Sequence, residues 1–60
     1  MKKLKEIREA ANLSQEELAE KAGVSRVTIS MLETGAQTNV TVNTLCKLSA
    51  ALGRPIADFF

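Results

Sequence analysis

Residues 25–31 bring together one guanidinium, three hydroxyls and three apolar side chains. An arginine such as Arg26 can make two parallel hydrogen bonds to guanine O6 and N7, or it can contact a phosphate. Hydroxyl groups can donate to phosphates or base edges, and apolar side chains can contact the methyl group of thymine. The segment therefore holds the chemical groups needed to contact double-stranded DNA, provided that one surface presents them together.

A second polar group stands ten residues earlier, at Gln15. Gln15 follows Ser14, a predicted helix cap, so its side-chain amide lies beside the free backbone N–H groups of a helix N-terminus. Amides in this position can donate to a phosphate oxygen. Ser25 is also a predicted N-cap, which alone would account for a serine there. The candidate DNA contacts are Gln15, Ser25, Arg26, Val27, Thr28, Ser30 and Met31.

Apolar residues recur at helical spacing along the chain and predict five short helices, at about residues 2–11, 15–22, 26–34, 42–52 and 56–60. No strand pattern or internal repeat is present, so the predicted fold is all-α, with one domain over residues 1–60. The residues predicted to face the core are Leu4, Ile7, Ala11, Leu18, Ala19, Ala22, Val24, Ile29, Leu32, Leu45, Leu48, Ser49, Leu52 and Phe59.

Local signals mark the ends of these helices. Ser14 and Glu17 have the S-x-x-E spacing of a capping box, and Ser25 and Thr41 are predicted N-caps. Asn12 and the three glycines stand where helices should end, because these residues tolerate a left-handed backbone.

The composition argues against several classes of protein. The chain has one cysteine, Cys46, and no histidine, so an internal disulfide, a zinc site and any other metal or cofactor are not expected. No nucleophile stands beside a base and no glycine-rich phosphate loop is present, so neither an enzyme nor a small-molecule site is predicted. No apolar run approaches the roughly 18 residues of a membrane span, and the expected location is the cytoplasm.

The stretch LSQEELAEKAGVSRVTISMLETG, followed by TLCKLSAALG, resembles the Cro/repressor family of helix-turn-helix regulators over nearly the whole chain. The resemblance implies a compact, lambda-repressor-like bundle of five short helices, with helix 3 of the helix-turn-helix in the major groove. It implies a sequence-specific transcriptional regulator, commonly a repressor, that binds a palindromic operator as a homodimer. It further implies that Gln15 donates to a phosphate, and that Arg8 and Glu33 form an ion pair joining helix 1 to the end of helix 3.

Two features depart from the family pattern. Met31 is apolar where many members carry a polar or basic side chain, and the loop AQTNV at residues 36–40 has no lysine or arginine. The net charge of +1 neither supports nor excludes nucleic-acid binding. The loop offers only neutral donors, which predicts weaker affinity and a shallower salt dependence because log K falls by about 0.9 per charged phosphate contact. An alternative therefore stays open, in which the same fold binds a protein partner through Val27 and Met31.

Dimerisation would compensate for weak DNA contacts by each copy, because once one copy is bound, binding of the second copy becomes intramolecular. The expected dimer surface runs from helix 4 to the C-terminus and includes Arg54, Ile56 and Phe60. A further alternative is that these residues are the DNA-binding part of a longer repressor.

Overall fold

Four α-helices and a final 3₁₀ turn make up the computed structural model, which describes the backbone of residues 1–60 and every side chain except that of Lys2. The helices are α1 (Lys2–Ala10), α2 (Gln15–Ala22), α3 (Arg26–Thr34) and α4 (Val42–Leu52), and the 3₁₀ turn is Ile56–Phe59. No strand occurs over these residues, so the predicted all-α fold of five helical segments is confirmed. None of the described helices has the length and apolar character needed to cross a membrane.

Side-chain caps begin three of the α-helices as predicted. The Ser14 hydroxyl accepts from the backbone N–H of Glu17 at 3.0 Å, and the Glu17 carboxylate accepts from the backbone N–H of Ser14 at 2.9 Å. Ser25 and Thr41 each accept from the backbone N–H three residues later, at 3.1 Å. Each bond satisfies an N–H that has no partner within its helix, so these residues define where α2, α3 and α4 start.

The cap of α2 should depend on pH through Glu17. Hydrogen bonds from the backbone N–H and then the hydroxyl of Ser14 lower the pKa of Glu17. Because the pKa is lower in the folded state, this stabilisation is present above the pKa of the unfolded chain and is lost as the pH falls through the folded value. We expect Glu17→Gln to be less stable than the parent at neutral pH, with the difference shrinking below about pH 4. Urea unfolding at a series of pH values measures this, and a difference independent of pH would contradict it.

The first helix ends one residue earlier than predicted. Asn12 adopts a left-handed backbone with φ of 59°, which confirms it as the stop. Ala11, predicted to face the core, is exposed, so that prediction is wrong. The chain turns at Asn12 to enter α2, and Leu13 packs against the core instead.

The core forms where α1 packs on α3, α2 packs on α3 and α4, and the 3₁₀ turn closes against α1 and α4. Its buried apolar residues are Leu4, Leu18, Ala19, Ala22, Ile29, Leu32, Leu48, Ala51 and Phe59. Ile7, Val24 and Leu52 are half-buried against it. The apolar spacing thus predicts the inward faces of α2 and α3 without error.

The buried face of α4 is rotated from the predicted one. Leu45 and Ser49, both predicted to face inward, are only half-buried, whereas Ala51, which was not in the predicted set, is buried. Leu48 is common to both faces. α4 packs against α2 and the 3₁₀ turn, and Ala51 belongs to the buried core cluster together with residues of both.

Candidate nucleic-acid interface

A tight turn joins α2 to α3. Gly23 ends α2 with φ of 72°, a conformation that side chains with a Cβ resist. The backbone N–H groups of Gly23 and Val24 both donate to the Ala19 carbonyl, at 2.9 and 3.1 Å. Val24 then packs against the core and Ser25 caps α3. Two helices joined through three residues in this way form a helix-turn-helix.

One face of α3 is left uncovered by the rest of the protein. Ile29 and Leu32 are completely buried, whereas Val27 is 61% exposed and Met31 is 38% exposed. Arg26 is exposed at the start of the helix and forms no ion pair with a described residue. The predicted readers Arg26, Val27 and Met31 therefore lie on the open side of the helix.

Two predicted hydroxyl donors are paired with each other at the N-terminus of α3. The Ser25 and Thr28 side-chain oxygens lie 2.8 Å apart, and both residues belong to the cap of the helix. A hydroxyl pair uses one hydrogen between its two oxygens and leaves the second free. Thr28 and Ser30 are half-buried and so border the exposed face. The pair can thus offer one O–H to an anion, next to the positive end of the helix dipole.

A buried ion pair joins α1 to α3. Arg8 Nε donates to Glu33 Oε2 at 2.7 Å and Nη2 donates to Glu33 Oε1 at 3.2 Å. The Arg8 and Glu33 side chains are 9% and 3% exposed. The hydrogen bonds that Arg8 donates to Glu33 raise the pKa of Arg8, and this effect outweighs the opposing effect of burial. Arg8 therefore remains charged and links α1 to α3 through Glu33.

The same carboxylate also holds Gln15. Gln15 Nε2 donates to Glu33 Oε1 at 3.0 Å, and Arg8 Nη1 donates to the Leu13 carbonyl at 2.7 Å. Gln15, predicted as a phosphate donor, is half-buried and already uses one of its two N–H groups inside the protein. No sequence signal predicts this bond, because its partners are 18 positions apart.

The loop after α3 and the first helix add little to the candidate DNA contacts of the described residues. The amide of Gln37 donates to the Asn39 carbonyl at 2.8 Å, so this loop side chain is partly used within the loop. Lys3 and Lys5 are exposed on α1, and the Lys2 side chain lies outside the described residues. Cys46, expected to be partly exposed, is exposed.

The predicted dimer residues lie just before, within and just after the 3₁₀ turn. Phe60 is 63% exposed and Ile56 is half-buried. Arg54 is exposed and pairs with Asp58 at 3.2 Å. Arg54 also lines an open groove of about 360 Å³ between α1 and the end of α4, whose other lining residues are Glu6, Ile7, Ala10, Ala11 and Leu52.

Taken together, the glycine turn, the capped third helix and its uncovered face are the features of a DNA-binding helix-turn-helix domain. The sequence profile of the HTH_3 helix-turn-helix family matches residues 4–59, and the chain belongs to that family. It is thus a DNA-binding transcriptional regulator of the Cro/C1 type, a class defined by binding double-stranded DNA and not by catalysis. No curated protein and no solved structure matches the chain.

Proposed function

We propose that this regulator is a repressor that binds a palindromic operator as a homodimer, with residues 1–60 acting as one DNA-binding domain. The α3 helix of each copy would enter the major groove of one half-site. The observation that supports the proposal is that α3 has one buried and one exposed face. Ile29 and Leu32 are buried, whereas Arg26, Val27 and Met31 are exposed. The two half-sites should lie about 34 Å apart on one face of the duplex.

Backbone contacts would come from the N-terminal ends of α2 and α3. At α2, the half-buried Gln15 amide lies beside free backbone N–H groups. At α3, the Ser25 and Thr28 hydroxyl pair can offer one O–H, and Ser30 borders the same helix face. All of these donors are neutral, so they position the helix without releasing many counterions. We therefore expect a shallow dependence of the affinity on salt.

Selection of bound duplexes from a random pool at low salt tests the main proposal. The expected product is a palindrome with half-sites one helical turn apart. Enrichment of single half-sites would remove the homodimer from the proposal while leaving sequence-specific binding. A pool that remains random would contradict sequence-specific recognition altogether.

Arg26 should carry the largest share of base recognition. We expect Arg26→Ala to cost about 1–3 kcal/mol of discrimination at one position in each half-site. Arg26→Lys keeps the charge but lacks the planar fork, so it should also lose that discrimination while retaining most of the overall affinity. Binding to the selected operator and to its single-base variants measures both effects. Uniform weakening on every sequence by Arg26→Ala would instead make Arg26 a phosphate contact.

The exposure of Val27 and Met31 supports a second candidate function, binding of a protein partner. The same two side chains suit thymine methyl groups equally well. Met31→Gln separates the alternatives in the selection experiment. If Met31 contacts a thymine, the variant should lose its preference for that base pair, whereas an unchanged operator would favour the protein partner.

A further inference from the structure

We propose that Glu33 is a positioning residue for DNA binding, which holds the Gln15 side-chain amide so that its second N–H is presented to a backbone phosphate. The inference rests on the proposed phosphate contact of Gln15 and deepens it. It assigns a role in DNA binding to a buried carboxylate near the C-terminal end of α3, away from the end that carries Arg26.

The two carboxylate oxygens of Glu33 accept different hydrogen bonds. Among the described residues, only Arg8 donates to Oε2, through Nε at 2.7 Å. Oε1 accepts from Arg8 Nη2 at 3.2 Å and from Gln15 Nε2 at 3.0 Å. A glutamine nitrogen carries two hydrogens, and this is the only hydrogen bond that the Gln15 side chain makes to a described residue. One N–H is therefore committed to Glu33 and the other remains for an external acceptor.

Burial makes Glu33 a rigid acceptor. Its side chain is only 3% exposed and is fixed by two bonds from the guanidinium of Arg8. Gln15 is half-buried, so part of the residue remains accessible to solvent. A free glutamine would lose rotamer freedom when it bound a phosphate, whereas one held by Glu33 has already lost much of that freedom on folding. The bond thus preorganises the amide.

The bond also ties the open ends of the helix-turn-helix together. Gly23 joins α2 to α3 at one end, while Gln15 is the first residue of α2 and Glu33 the second-last of α3. Arg8 adds a bond to the Leu13 carbonyl, just before α2 begins. An acid in the last turn of a helix opposes the helix dipole, so the stability of α3 alone does not explain a glutamate at this position. Its contacts with the other helices do explain it: Glu33 pairs with Arg8 of α1 and fixes Gln15 at the start of α2.

Nuclear magnetic resonance of the full chain, titrated with a short duplex of mixed sequence at low salt, tests the inference directly. The chain has two glutamines, so Gln15→Met assigns the Gln15 side-chain signals and Gln37 serves as an internal reference. We expect duplex to shift the free N–H of Gln15 strongly and the N–H bonded to Glu33 weakly. Unmoved Gln15 signals, with shifted backbone signals in α3, would overturn the inference and leave DNA binding intact. If no signal of α2 or α3 moves, the proposed function fails instead.

Affinities for the same duplex supply an independent measurement. Glu33→Asp keeps the charge opposite Arg8 but withdraws the carboxylate from Gln15 by one methylene. We expect Gln15→Met to weaken binding about tenfold, the loss of a charge-assisted hydrogen bond, and Glu33→Asp to weaken it roughly three- to tenfold. The double variant should bind about as well as Gln15→Met alone, because both changes remove the same contact. Glu20→Asp, the same change at an exposed site on α2, is the matched control and should bind like the parent.

Two outcomes of the affinity measurement would overturn the inference. One is parental affinity of Glu33→Asp, and the other is a double variant whose loss equals the product of the two single losses. Circular dichroism checks that each variant is folded at the assay temperature. The Gln15 signals of the parent protein decide the question even if Glu33→Asp does not fold.

Discussion

Replacing Arg8 with methionine should lower the free energy of unfolding by about 3–5 kcal/mol, because it leaves Glu33 charged and buried without its partner. Solvent screens the Arg8–Glu33 ion pair only weakly, since the two side chains are 9% and 3% exposed. The variant also loses the bond to the Leu13 carbonyl. A domain of this size has a stability of only about 3–5 kcal/mol, so Arg8→Met should be largely unfolded at 25 °C. Urea unfolding followed by circular dichroism measures the change.

The double variant Arg8→Met, Glu33→Leu is the control for this prediction. It removes both charges, so no buried ion is left without a partner, and it should be more stable than Arg8→Met alone. A loss of less than about 1 kcal/mol for Arg8→Met would show instead that the pair behaves like an exposed ion pair. The same comparison separates the cost of an unpaired charge from the net contribution of the pair.

Two adjacent phenylalanines at the end of the chain should differ sharply on replacement. Phe59 is completely buried in the 3₁₀ turn that closes against α1 and α4, whereas Phe60 is 63% exposed. We expect Phe59→Ala to cost about 3–5 kcal/mol, through lost burial and the cavity left behind. Phe60→Ala should change stability by less than about 0.5 kcal/mol in the monomer. Thermal or urea unfolding at low protein concentration compares them, and equal losses would contradict the assignment of Phe59 alone to the core.

Phe60 also provides the test of the proposed dimer. Sedimentation of the parent chain with its selected operator should show two copies per duplex, and Phe60→Ala should require a higher protein concentration to reach that state. The expectation follows from the removal of exposed apolar surface at the proposed dimer contact. A parent chain that remains one copy per duplex would rule out the homodimer. Since Phe60→Ala should fold normally, a change in assembly cannot be attributed to unfolding.

Much of the fold follows from residues within one helical turn of each other. The capping box of Ser14 and Glu17, the caps at Ser25 and Thr41, and the left-handed Asn12 all lie where local chemistry predicts them. Their hydrogen bonds join atoms no more than three or four positions apart, so the chain order specifies them directly. The exceptions are Ala11 and the rotated face of α4, where neighbouring elements select which residues are covered.

The candidate site likewise combines features that the local sequence predicts with contacts that only the packing of the helices creates. The composition and order of residues were enough to predict α3, its buried Ile29 and Leu32, and its exposed Val27 and Met31. Spacing could not predict that Glu33 lies against Arg8, 25 positions away, and the family resemblance alone suggested this pair. Neither spacing nor resemblance indicated that Gln15 shares the carboxylate, 18 positions away. Contacts between distant positions form only when packing brings their helices together, and for that reason the tertiary structure specifies the Gln15–Glu33 bond that the local sequence leaves open.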